Sequence, residues 1–148
     1  MHNKEQIFIV DGRPQGKGRP RFTRDGHTYT PQNTAEYERQ VQEAYMIQVR
    51  DRAGAVPEDQ PISMCITAVF PVPKSDNRRV RQAKLSGEIL PTTKPDCDNI
   101  AKVICDALNG LAYADDRQVV ECLVKKVYGE APQVEVTIAQ GRDYIDDG

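Results

Sequence analysis

The chain has no tryptophan, and its 148 residues include only three phenylalanines and two histidines. With so few aromatics, aliphatic side chains must fill most of the core. His2 and His27 lie far in sequence from every cysteine, which argues against a zinc site. None of the four cysteines, Cys65, Cys97, Cys105 and Cys122, stands in a C-x-x-C pair. Three of them sit inside apolar or alternating runs, so they read as buried free thiols. No stretch approaches the roughly 18 consecutive apolar residues of a membrane helix, and the apolar run near the start, QIFIV, is too short for a signal peptide. A cytoplasmic location without membrane association is expected. Nor is there a surplus of cations: the net charge of −2 argues against coating nucleic acid by bulk charge.

What is present is charge of both signs kept apart. Arg13, Lys17, Arg19, Arg21 and Arg24 fall in a segment free of acids, and Lys74, Arg78, Arg79, Arg81 and Lys84 form a second group opposed only by Asp76. Acidic residues gather instead between positions 96 and 116 and in the tail. The length fits a single domain, residues 1–148, able to bury a core without disulfides.

Periodicity and turn chemistry predict a strand over 5–10 and a hairpin around Asp25-Gly26. A long helix is opened by Thr30 with Pro31 as its first residue and runs to about Arg52. A buried strand over 62–72 follows, then a short basic helix stopped by Gly87. The residues Ile100, Val103, Ile104, Ala107, Leu108 and Leu111 mark an amphipathic helix that exits at Asn109-Gly110, and two strands, 118–129 and 133–140, finish the chain. This order implies an α+β fold, a mixed sheet backed by helices.

The chemistry concentrates in KPDCDNIAKVICDALNGLAYADDRQV, residues 94–119. Asp96 and Asp98 flank one residue, and in an extended chain entering the helix they project to one side. Asp98, Lys102 and Asp106, spaced by four, form a polar stripe, and a short loop returns the chain to Asp115 and Asp116. Converging carboxylates with a lysine suit a divalent cation and phosphodiester hydrolysis. The same residues also fit a helix cap, a solvated i, i+4 ladder and a turn pair, and spacing leaves these readings open. The loop GRPQGKGRPR is not a nucleotide P-loop, because three residues separate Gly12 from Gly16 and Gly18 follows Lys17. It reads either as a flexible loop wrapping nucleic-acid phosphates or as a solvated surface loop.

The segment K-P-D-x-D-N-I-x-K, followed by D-A-L-N-G and Y-x-D-D-x-Q-V, resembles the signature of the RusA family of Holliday junction resolvases, and residues 8–140 are similar to that family over most of their length. The resemblance implies a RusA-like homodimer that cuts two opposed strands of four-way junction DNA in recombination and repair. It implies Asp96, Asp98 and Asp116 as ligands of Mg²⁺, for which Mn²⁺ can stand in. Lys102 is the implied catalytic lysine, and Asn99 and Asp106 have supporting roles. Arg13, Lys17, Arg19, Arg21 and Arg24 are the expected DNA contacts. A non-catalytic DNA-binding module and a general nuclease for branched DNA are the competing functions, and junction cleavage with and without metal separates them.

Overall fold

The computed structural model describes residues 5–18, 21–29, 31–49 and 56–140. Its elements follow the order that periodicity predicts: β1 (Glu5–Asp11), a small hairpin of β2 (Arg21–Phe22) and β3 (Thr28–Tyr29), α1 (Gln32–Gln48), β4 (Ile62–Pro71), α2 (Arg78–Leu85), α3 (Cys97–Leu108), a 3-10 turn at Asp116–Gln118, β5 (Val119–Gly129) and β6 (Gln133–Gln140). Four strands make one mixed sheet in the order β1-β6-β4-β5, with β5 parallel to β4 and the other pairs antiparallel.

The inner strand β4 sets the core. Its alternate residues Ile62, Met64, Ile66, Ala68 and Phe70 are buried, as period-two side-chain alternation requires of a strand covered on one face. Onto that face α1 packs Tyr37, Val41 and Tyr45, spaced by four, and α3 packs Ile100, Val103, Ile104, Ala107 and Leu108. Phe8 of β1 meets Tyr45 edge-on at 5.5 Å between ring centroids. Met64, Ile66, Ala68 and Phe70 pair with Cys122, Val124, Lys126 and Tyr128 of β5. Paired residues share a sheet face, so these four β5 side chains lie on the helix-covered side.

The helix boundaries depart from expectation at α1. Pro31 stands at the N-cap rather than the first helical position, and the helix ends at Gln48 with Val49 already extended; the expected cap Thr30 and the expected last turn toward Arg52 lie outside the described residues. A physical reason for the early end is a long-range contact. Gln48 Nε2 donates to the Ile9 carbonyl at 2.7 Å, and the Ile9 N–H donates to Gln48 Oε1 at 2.8 Å. The carboxamide thereby imitates a neighbouring strand along the free edge of β1.

Gln48→Ala removes both of these bonds. The expected loss is about 1–2 kcal/mol of unfolding free energy, read as a lower urea midpoint at unchanged m-value; an unchanged midpoint would mean that water replaces the amide at no cost.

Candidate active site

The apolar stripe of α3 goes to the core, and its polar stripe consequently faces a cleft between α3 and β5. Asp98, Lys102, Cys105 and Asp106 of α3, with Asp116 of the 3-10 turn and Cys122 of β5, line a cleft of about 360 Å³. The expected stripe is therefore present, and Asp98, Lys102 and Asp116 come to one place from two elements. Asp96 is not among the lining residues.

Asp96 corrects the extended-chain argument. It is the N-cap of α3, and Asp98 already lies in the first helical turn, so the two do not share a side as they would in a strand. Neither is spent on capping: the Asp96 side chain makes no cap hydrogen bond, although its carbonyl accepts from the Ile100 N–H at 3.0 Å.

Asp115 and Asp116 divide their work. Asp115 caps the 3-10 turn, accepting from the Arg117 N–H at 3.0 Å while its own N–H donates to Gln118 Oε1 at 2.8 Å. The Arg117 N–H holds the Asp115 carboxyl below the ordinary aspartate range. Asp116 lines the cleft and is in side-chain contact with Asp115; burial, followed by that contact and by the charges of Asp115 and Asp106, holds its carboxyl above that range, and Lys102 pulls the other way. Negative charge is thus crowded and incompletely neutralised. The turn is anchored by Gln118, 4% exposed, whose Nε2 donates to the carbonyls of Pro57 at 2.7 Å and Gln60 at 3.0 Å. Its local signals are the third position after Asp115 and its place in Y-x-D-D-x-Q-V.

The glycine-rich loop is a packing device. A Cβ on Gly16 would stand 2.8 Å from Pro95 Cβ and 2.9 Å from Asn99 Cβ, and one on Gly18 would stand 2.6 Å from Thr34 Oγ1. The Lys17 N–H donates to the Asn99 carbonyl at 3.0 Å, tying the loop to the start of α3. Lys17 Nζ then bridges Glu38 at 2.9 Å and Asp106 at 3.2 Å. Burial alone would lower its pKa, but the bonds to Glu38 and Asp106 prevail and raise it. In the free protein its charge is directed to these two acids. Lys102 is the more available cation, 62% exposed and 3.9 Å from Asp106.

Of the other expected DNA contacts, the Arg13 guanidinium lies over the Phe70 ring at 5.9 Å and Arg24 is exposed at the hairpin turn. Arg19 and the side chain of Arg21 lie outside the described residues. The cysteines also differ from expectation. Cys97 and Cys122 are exposed and Cys65 and Cys105 half-buried, because Cys97 opens a helix and Cys122 lies on an edge strand. Cys105 and Cys122 meet across the cleft: its neighbour Cys122, and then burial, push the Cys105 thiol up, while the same contact lowers Cys122.

Carboxylates are the hard oxygen donors that Mg²⁺ prefers, and the raised Asp116 carboxyl is what a bound cation would relieve. Among the described residues no three His, Cys, Asp or Glu side chains form a ready-made metal cluster. The donor set fits the ion in chemistry, and side-chain movement on binding has to complete it.

Comparison with known proteins matches residues 11–139 to the family model described as endodeoxyribonuclease RusA. The chain is also 37% identical over 138 residues to the uncharacterized protein YqaN of Bacillus subtilis (strain 168), an alignment that covers 90% of this chain and 94% of the relative. Every residue lining the cleft lies within both the matched family segment and the region between Asp98 and Cys122.

The two adjacent aspartates should separate in calorimetry. Asp115→Ala loses the cap and should lower the melting temperature by a few degrees, whereas Asp116→Asn, measured without divalent metal, should leave it unchanged or raise it. Equal losses would contradict the division of roles.

Proposed function

The chain belongs to the RusA endodeoxyribonuclease family, and we propose that it resolves four-way DNA junctions by Mg²⁺-dependent hydrolysis of two opposed strands, acting as a homodimer in recombination and repair. The observation that carries this reading is the cleft between α3 and β5, where the carboxylates of Asp98, Asp106 and Asp116 and the exposed Lys102 line one space within the family segment.

In this reading Asp98 and Asp116 hold the ion and Asp96, the N-cap at the start of α3, completes the set. When bound, Mg²⁺ would activate water and offset charge developing on the phosphate. The protein's own residues do the rest. Lys102 extends from the helix to a phosphate oxygen, where its ammonium stabilises charge in the transition state. Asp106, held by Lys17, keeps Lys102 directed along the cleft. Asp115 does not take part, because it is engaged as the cap of the turn. Arg13, Arg19, Arg21 and Arg24 hold phosphates of the DNA. A dimer suits a substrate with paired strands, since two-fold symmetry presents two identical sites. Support for self-association comes from a row across the sheet, Ile7, Thr137, Cys65 and Leu123, on the face opposite the helices, in which Ile7 is 52% and Leu123 40% exposed.

Labelled four-way junction and linear duplex, incubated with Mg²⁺ and with chelator, test the reading. Paired nicks in the junction are expected only with Mg²⁺, and Asp116→Asn should bind the junction without cutting it. Lys102→Ala removes an exposed ion pair worth a few tenths of a kcal/mol, so folding should be preserved while cleavage falls by roughly a hundredfold. A fully active Lys102→Ala protein would remove Lys102 from the site, and wild-type cleavage by Asp116→Asn would overturn the metal centre.

A further inference from the structure

The composition of α2 is poorly explained by stability. Its eight residues, RRVRQAKL, carry four cations and no acid, and none of them is buried. Arg78 and Arg79 occupy the first turn, where the aligned peptide dipoles disfavour positive charge. Ion pairing does not offset this. Lys84 is taken by Asp76 at 2.6 Å and sits over the Tyr128 ring at 4.8 Å, but among the described residues Arg78, Arg79 and Arg81 have no carboxylate at ion-pair distance.

More positive charge gathers next to the helix. Phe70 and Tyr128 are paired neighbours at the ends of β4 and β5, and α2 packs on β5. Over the Phe70 ring lie Arg13, at 5.9 Å, and Lys126, at 5.2 Å, with Lys126 Nζ donating to the Thr93 carbonyl at 2.6 Å. Arg13 and Lys126, like the α2 arginines, have no carboxylate partner among the described residues. The N-terminal loop, β5 and α2 therefore bring cations together around two adjacent rings.

The location gives this patch a use. Lys126 and Tyr128 share the helix-side face of β5 with Cys122, which lines the acidic cleft. From Cys122 to Tyr128 the strand advances about 20 Å, which matches about six base pairs of B-form DNA. A positive surface at that distance, on the face where a phosphodiester would enter the cleft, complements the backbone of a duplex.

We propose that α2, with Arg13 and Lys126, is a second phosphate-binding surface that grips a junction arm about half a helical turn from the cleft. It rests on the endonuclease reading above and adds to it a contact away from the reacting phosphate.

The test uses the double variant Arg78→Ala/Arg79→Ala, whose folding should be intact because first-turn cations are removed and alanine favours helix. Binding to a four-way junction is measured across a salt series without divalent metal. Two substrates are compared: one with natural arms, and one whose phosphates about six base pairs from the crossover are neutral methylphosphonates. On natural arms the slope of log affinity against log salt should lose about two units relative to wild type, at about 0.9 per phosphate contact. On the neutralised arms wild type and variant should bind alike, and Arg39→Ala, an exposed cation on α1, should keep the wild-type slope on both. A wild-type slope in the double variant on natural arms, the pattern of a surface meant for an acidic protein, would overturn the proposal alone, as would an equal loss on both substrates, the pattern of a non-specific charge effect. Absence of any junction binding by the wild type would overturn the endonuclease reading and this proposal together.

Discussion

Burial of the apolar stripe of α3 decides where the acids of the cleft can stand. Ile100, Val103, Ile104, Ala107 and Leu108 enter the same core as β4, and each fully buried Ile, Val or Leu side chain contributes about 1.5–3 kcal/mol. The Lys102 to Asp106 pair, largely exposed at 3.9 Å, contributes a few tenths. Packing therefore sets the rotation of the helix, and the charged residues accept the positions that remain. With the stripe buried, Asp98, Lys102 and Asp106 are left on the cleft side of the helix, and crowding the acids against Asp116 is a cost that the core can carry. A site that gathers like charges needs such a scaffold, because it cannot assemble itself.

The glycine-rich loop extends the same constraint. Gly16 lets the backbone pass against Pro95 and Asn99 at the start of α3, and Lys17 joins that helix to α1 through Asp106 and Glu38. Small size at positions 16 and 18 serves close approach of the loop backbone to its neighbours. The start of α3, where Asp96 and Asp98 sit, is thereby held from outside as well as from the core, which limits how far the acids can drift apart under their own repulsion.

Much of this was legible in the chain because it is periodic. The spacing by four of Asp98, Lys102 and Asp106 beside Ile100, Val103 and Ile104 identifies one helix with two faces, and alternation through residues 62–71 identifies the inner strand. Features that depend on one residue of register were not legible. Strand geometry groups Asp96 with Asp98, but the helix begins at Cys97, so Asp96 is its N-cap and Asp98 lies in its first turn. Cys122 looked buried because it alternates with apolar residues, yet an edge strand buries only part of what it alternates. Contacts that cross the chain left no local trace at all: nothing near Gln48 announces Ile9, and nothing near Lys17 announces Asp106.

In the proposed function the cleft between α3 and β5 binds a divalent cation through Asp98 and Asp116. The carboxyl ¹³C resonances of the aspartates, followed during a Mg²⁺ titration of the free protein, test this binding. The Asp98 and Asp116 resonances should move together and saturate at one concentration while Asp115, engaged as a cap, stays in place. Resonances that do not move, or a uniform unsaturated drift of every exposed aspartate, would contradict it.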